Sequence, residues 1–415
     1  MGIASTRLSF LRSGIVKVLF NDGYPYLRWE KTYEKPAITT PSGTVTQVTT
    51  IEALDTALTN DENIELMNDL DFNDDASYST PANKSTYTTG NGWTTRDYSG
   101  TFYGKGFAIK NIFMNNVPNN AGFISIFTGN WYDTNFEDVS ITGTGARTSI
   151  FATPNALDII NCTLSGSISG GRYSGFCGIQ TAATNLRLHH LVNYATITSS
   201  NIESGGIIGR ISNGEVEYCF NYGEITGGST IGGICGFLQD NAVEFYRCGN
   251  YGNIHTTTTS NAWTSGIVGR FATSGGIKEC LNKGIITSEG LRNGGLTGQT
   301  SGGTIDISDS YNFGKVETMG RYKGGIVGWL QVSGTSTVNK VFSIGDVLTP
   351  TGGVATDTGA LNGSAPNNTV TDSFWDEEKT GLTTSAGGGV GKTTAEMKDQ
   401  NTYTNWNFDN IWGID

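Results

Sequence analysis

Residues 386–393 read AGGGVGKT, a spacing that satisfies the permissive pattern of a phosphate-binding loop. A working loop needs a buried hydrophobic strand running into it, a helix leaving it, and an acidic residue on a second strand to manage the metal. The preceding DSFWDEEKTGLTTS is polar and acidic, and nothing after TTAEMKDQ is hydrophobic enough to build a parallel sheet. The segment is therefore expected to be a flexible glycine turn leading to a short helix, with Thr393 and Glu396 as a capping box.

The other constellations that could carry chemistry are no better organised. Six cysteines, at 162, 177, 219, 235, 248 and 280, lack close CxxC spacing, so neither a zinc knuckle nor a disulfide scaffold is indicated. His189, His190 and His255 have no Cys or acidic partner recurring at ligand spacing and are read as surface or turn residues. Paired carboxylates facing a groove would suit glycan cleavage, but Glu217, Asp306, Asp309 and Asp346 fall in unrelated positions of the repeat described below. The acidic run Asp69, Asp71, Asp74 and Asp75 has the oxygen ligands a cation needs and is read as a solvated loop. No catalytic, cofactor-binding or metal-binding residue is assigned. Aromatic residues are the better candidates for recognition. Trp131 and Tyr132 in TGNWYDTN, Trp263 in SNAWTSG and Trp329 in GWLQ fall at or near turns, where rings serve contact with a glycan or with a neighbouring protein.

What must position these residues is a repeat. SGGIIGRISNGEVEYCFNYGEITGG, IGGICGFLQDNAVEFYRCGNYGNIHTT and SGIVGRFATSGGIKECLNKGIITSEG align by eye. The equivalent positions Cys162, Leu191, Cys219, Cys248, Cys280, Ser310, Val341 and Ser373 are separated by 29, 28, 29, 32, 30, 31 and 32 residues. Three residues before each anchor stands an apolar residue, and six after it stands Ile or Val until Lys379 breaks the column. A third strand is marked by GGIIG and its counterparts, ending at Gly209, Gly236, Gly269, Gly298 and Gly328. Three strand-like pieces per copy, with no helix between them, predict an all-β parallel β-helix, a solenoid of about 30 residues per coil. A propeller blade needs roughly 40–50 residues. Asn193, Asn221, Asn250, Asn282 and Asn312, two after the anchor, are expected to stack as an amide ladder, with Tyr194, Tyr222, Tyr251 and Phe313 stacking beside them. Cysteines in two of these columns alternate with Leu, Ile, Val, Ser and Thr, as reduced, buried core positions do.

The division along the chain follows. Residues 1–35 form an attachment hairpin or extended segment, 36–50 a linker, 51–375 the β-helix with its N-terminal cap, and 376–415 a C-terminal cap. TTIEALDTALTN supplies a Thr cap and apolar Ile51, Leu54 and Leu58, so a short helix is expected to close the first end. Composition agrees, since 58 Gly against 8 Pro suits frequent turns between short strands. A net charge of -12 argues against gripping nucleic acid. Arg7, Arg12 and Lys17 interrupt the apolar start, which makes it a poor secretory signal and argues against membrane insertion.

GGIVG followed by a polar strand, N-Y-G and an isoleucine strand resembles the GLUG-motif repeat of bacterial surface proteins and phage virion proteins, over roughly residues 110–375. The stretch from Asp372 to Asp415 resembles the closing segment of such proteins, which in relatives runs on into a phrase like GYPYLRW; here that phrase stands at 23–29. The resemblance implies adhesion, recognition or a structural role, with no catalytic residue to carry over. The expectation is a noncatalytic structural protein on a phage particle, joined to other virion proteins through residues 1–35. A glycan-binding adhesin on a virion or bacterial surface is the alternative, and a polysaccharide-degrading tailspike a further one. A homo-oligomer is compatible with either, although no heptad enforces one.

Overall fold

Every repeat presents the same apolar residues to one interior, and a computed structural model of the chain shows the consequence: a parallel β-solenoid with short capping helices at its ends. The structure describes residues 21–38, 43–118, 120–182, 184–199, 202–259, 261–331, 336–366 and 368–415. Residues 1–20 of the expected N-terminal hairpin or extended segment lie outside the described residues.

Register follows the sequence columns. Ile159, Leu188, Val216, Phe245, Ile277, Ile307, Val338 and Val370 pair in turn, as do Ile168, Ile197, Ile225, Ile254, Ile286, Val316 and Val347. All are buried, and burying each such side chain contributes about 1.5–3 kcal/mol. The asparagine ladder forms as expected. Each Nδ2 donates to the Oδ1 of the next coil, at 2.7 Å from Asn193 to Asn221, 2.8 Å to Asn250, 2.7 Å to Asn282 and 2.8 Å to Asn312. The same amides donate to the carbonyl two residues on, which satisfies a buried bend.

Two local features differ from the three-piece expectation. The GGIIG strand is two strands, as in Glu203–Gly205 and Ile208–Ile211, because its second glycine faces the ladder. A Cβ on Gly206, Gly233, Gly266 or Gly295 would lie 2.4–2.5 Å from an atom of the opposing Asn side chain. The bend itself falls one residue before each anchor. Asn161, His190, Tyr218, Arg247, Glu279, Asp309, Lys340 and Asp372 all adopt left-handed backbone, with φ between 45° and 61°. Such conformations disfavour non-glycine residues by roughly 1–2 kcal/mol each, and neighbouring coils hold every one of them in the same turn.

The first end is closed by the helix Ile51–Thr59, capped by Thr50 and burying Ile51, Leu54, Ala57 and Leu58. The solenoid's first strand, Thr46–Val48, falls inside the stretch expected as linker and pairs with Ile64–Leu66. At the other end AGGGVGKT is not a flexible turn. Gly388–Lys392 is the last strand of the solenoid's parallel sheet, beside Thr369–Asp376, because Val390 and Gly391 continue the register of Phe374 and Trp375. The capping box of Thr393 and Glu396 is present on a helix of four residues, and Thr393 N donates to the Glu396 carboxylate, Thr394 N to Glu378 and Glu396 N to Thr393 Oγ1, so donors that a phosphate would need are taken.

Residues 21–38 do not project away from the body. Tyr26–Leu27 pairs antiparallel with Trp412–Gly413, so GYPYLRW lies against the closing segment across the whole sequence. The two segments dock on the ridge of left-handed bends. Trp29 Nε1 donates to Glu279 O at 3.0 Å, Trp412 Nε1 to Asp309 Oδ1 at 3.0 Å, Trp406 Nε1 to Asp372 O at 2.8 Å, and Asn161 Nδ2 to Pro36 O at 2.6 Å. Tyr24, Leu27, Trp29, Trp406 and Trp412 form a second apolar cluster with Phe220, Tyr311 and Phe342 on the outside of the coils.

One interior column contains a charge. Ser204, Ile231, Thr264, Asn293 and Lys323 stack in register, and Lys323 is fully buried, donating to Thr349 Oγ1 at 2.7 Å and Val354 O at 2.5 Å. Burial pulls its pKa down from 10.5 to about 8. Between these values the unfolded chain holds a proton the folded chain does not, so stability is expected to rise as pH climbs through that window. Lys323→Met is expected to be more stable at neutral pH by about 1–3 kcal/mol and to lack the rise. Denaturant titrations at both ends of the window measure this, and an equal rise in the variant would exclude Lys323 as its source.

Candidate recognition surface

Side chains alternate between the two faces of a strand, so the residues flanking each buried column are displayed outside. On the sheet that carries the GGIIG motif two outward columns run along the solenoid. One is Arg147, Tyr173, Glu203, Thr230, Trp263, Arg292 and Tyr322. The other is Arg210, Phe237, Arg270, Gln299 and Trp329, each directly following the last glycine of its motif. Coils are separated by about 4.8 Å, so the rings and guanidinium groups of successive coils come within stacking distance.

They interleave. The Arg210 guanidinium lies 4.9 Å from the Tyr173 ring centre and 5.1 Å from Phe237; Arg270 lies 5.3 Å from Phe237 and 4.7 Å from Trp263. Arg292 spans Trp263 at 5.4 Å and Trp329 at 4.7 Å, and Trp329 stacks on Tyr322 at 4.7 Å with 9° between planes. Trp263 Nε1 donates to Gln299 Oε1, and Gln299 Nε2 donates to Gln331 Oε1 at 2.7 Å. Trp263, Trp329, Arg270 and Arg292 are all partly buried and line an open groove of ≈ 600 Å³, whose polar edge includes Gln331 and Ser301.

Charge is unevenly matched along this ladder. Arg210 is held by Glu203, whose carboxylate receives its guanidinium in a forked pair. Among the described residues Arg270 reaches only hydroxyl oxygen, Ser301 Oγ at 3.3 Å, and Arg292 reaches Asn261 Oδ1 at 3.1 Å while its Nε has no hydrogen-bond partner. Among the described residues neither forms an ion pair with a carboxylate. Burial lowers the pKa of both, and Arg292 is lowered further by the like charge of Arg270.

Of the four aromatic residues singled out in the sequence, the structure brings Trp263 and Trp329 together. Tyr132 lies on a different face, stacked on Tyr103 at 5.5 Å with its hydroxyl donating to Asp158 at 2.7 Å. Trp131 is not a surface residue at all. It is 0% exposed, its ring stacked at 3.8 Å on Phe102, because strand Asn130–Tyr132 directs it into the interior. The ladder arginines escaped notice because neither outward column keeps one residue type, although the position after each GGxxG motif marks where they stand.

The remaining chemical candidates stay apart or are occupied. All six cysteines are buried without disulfides, and burial pushes the Cys248 and Cys280 thiols well above their ordinary range. His190 is wedged between Tyr33 and Tyr218, its pKa lowered by burial to about 4, and His255 meets Thr287 Oγ1 at 2.8 Å. Asp309 accepts from Trp412, and Asp306 accepts from Thr337 at 2.6 Å. Glu217 is half-buried with a raised pKa, from burial first and then from the carboxylates around it. Asp71 and Asp74 accept from backbone amides of their own turns, and Asp69 and Asp75 face Lys110 and Lys84. A second groove, of ≈ 590 Å³ between Lys35 and Lys105, has its lysines balanced by Asp133 and Glu65. Among the described residues no helix is long and apolar enough to cross a membrane.

No protein-family model matches the chain. Over 138 residues it is 33% identical to a "Putative Gly-rich membrane protein" of Evansella cellulosilytica, a match covering 32% of this chain and only 12% of that protein's length. In shape it resembles a solved structure described as a "putative immunoglobulin A1 protease" from Bacteroides ovatus, with TM-score 0.42, 15% identity, and coverage of 88% of this chain and 87% of the other. That likeness carries no argument about activity.

Proposed function

We propose that the chain is a noncatalytic recognition scaffold, displayed on a virion or cell surface, whose aromatic and arginine ladder binds an extended saccharide chain. The observation that carries this reading is the groove in which Trp263 and Trp329 are joined through Arg292. The indole faces are stacked on Tyr322 and on the guanidinium groups of Arg270 and Arg292. The partly exposed ring edges therefore offer apolar surface to sugar rings, while Gln331 and Ser301 stand at the edge where hydroxyl groups would seek partners. The regular coil spacing repeats this chemistry along the axis, which suits a polymer better than a compact ligand. Residues 21–38 are taken up by the body's own flank, so the reading rests on the ladder rather than on docking of that segment to virion proteins.

Binding of surface polysaccharides, measured on a glycan array and then by calorimetry, tests it. Trp263→Ala with Trp329→Ala is expected to weaken binding at least tenfold, about 1.4 kcal/mol or more, while the far-ultraviolet spectrum is unchanged. Retention of full affinity by the double variant, or failure of the parent chain to bind any surface polysaccharide, would sink the proposal.

A further inference from the structure

We infer that the saccharide taken by the ladder is acidic, carrying carboxylate or sulfate groups, and that Arg270 and Arg292 are the residues that contact those groups. This rests on the saccharide-binding reading above. The whole chain has a formal charge of -12, yet six of its twelve arginines lie along this surface: Arg147, Arg210, Arg270 and Arg292 in the two columns, Arg172 over the Tyr173 ring and Arg321 over the Tyr322 ring. Two of the six have their counter-charge built in, Arg210 from Glu203 and Arg321 from Asp357.

Of the four that form no ion pair among the described residues, Arg270 and Arg292 share one indole, that of Trp263, at 4.7 and 5.4 Å. Two half-buried like charges beside the same ring repel one another and lose hydration, and a neutral hydroxyl and an amide oxygen compensate only in part. An oxyanion at the groove supplies the missing charge and an acceptor for the idle Nε of Arg292. Guanidinium forks match carboxylate and sulfate oxygens in geometry as well as charge. Single-stranded nucleic acid also pairs phosphates with stacking rings, but it brings a continuous run of charge toward a strongly acidic protein and meets only two uncompensated cations in the groove, so the acidic glycan is favoured.

The full chain is titrated with a polyuronate, a sulfated polysaccharide, a neutral glucan and a single-stranded oligonucleotide at about 0.15 M salt. At least one acidic polysaccharide is expected to bind tenfold or more tightly than the glucan, and which of the two does so separates carboxylate from sulfate. R270M with R292M should lower acidic-polysaccharide affinity to the level of the glucan in the same variant, whereas the Trp263 and Trp329 variants lose both. Equal affinity for glucan and acidic polymers in the parent chain overturns the charge selection and leaves the saccharide reading standing. So does an undiminished preference in the arginine variant, or an oligonucleotide that binds as tightly as the best glycan. If no polysaccharide binds, both inferences fall together. Should the arginine variant not fold, the salt dependence of the parent chain decides: acidic-glycan affinity must drop with rising salt while glucan affinity stays level.

Discussion

Glu30→Ala is expected to lower the unfolding free energy by about 3–5 kcal/mol, among the largest single effects in the chain. Glu30 lies in the docked N-terminal segment with its carboxylate 2.9 Å from Lys283 Nζ, and the two side chains are 1% and 7% exposed. The same carboxylate accepts from the Tyr311 hydroxyl at 2.8 Å and from Leu27 N at 2.9 Å. Lys283 stands in the outward column otherwise filled by Tyr194, Tyr222, Tyr251 and Phe313, within 5.6–5.8 Å of three rings. Removing the carboxylate takes away the charge that balances Lys283 in an apolar setting. Glu30→Gln combined with Lys283→Tyr is expected to recover most of the loss, because an aromatic residue completes the column and no charge remains buried. Denaturant unfolding measures both variants. A loss below about 1 kcal/mol in Glu30→Ala would mean that the flank is held by its rings alone, within the range of an exposed pair.

Trp131→Ala is expected to destabilise by about 3–5 kcal/mol and to leave saccharide affinity per folded molecule unchanged. Its ring meets Tyr98, Phe102, Phe123, Phe127, Phe136 and Phe151, at centroid distances of 3.8–6.3 Å, and its Nε1 donates to Thr134 Oγ1 at 2.9 Å. Truncation leaves a cavity in an aromatic interior that adjacent coils cannot collapse to fill, since their backbone is fixed by hydrogen bonds above and below. Thermal unfolding, read beside the glycan titration, separates this effect from that of Trp263 and Trp329. A Trp131 variant of parent stability but reduced affinity would return this residue to the binding surface.

The contrast between Trp131 and Trp263 shows why the candidate site was only partly legible. Both follow a turn-forming stretch, GN and SNA, and both look exposed in a linear string. Which face a strand residue occupies depends on a single-residue shift of register, and the repeat is regular enough to settle that shift only where an anchor recurs. Trp263 lies within the well-aligned copies; Trp131 lies in an early coil, where the motif is weak. AGGGVGKT was misplaced for a related reason. Three successive glycines at positive φ resemble a flexible turn in sequence, and only the partner strand at Phe374–Asp376 makes the segment extended.

The sequence by itself determined the solenoid, its coil length, the two buried apolar columns, the asparagine ladder and the capping helix at 51–59. These depend on periodic contacts between like residues one coil apart, so a period of about 30 residues with apolar and amide positions in phase is sufficient to specify them. Only the tertiary structure decided the rest. The left-handed bend column, the docking of residues 21–38 and 393–415 on one flank, and the ladder of Trp263, Arg270, Arg292 and Trp329 join residues of differing type, or residues up to 387 positions apart in Tyr26 and Gly413. Such contacts have no period to reveal them, because their energy comes from rings and charges that complement one another rather than repeat.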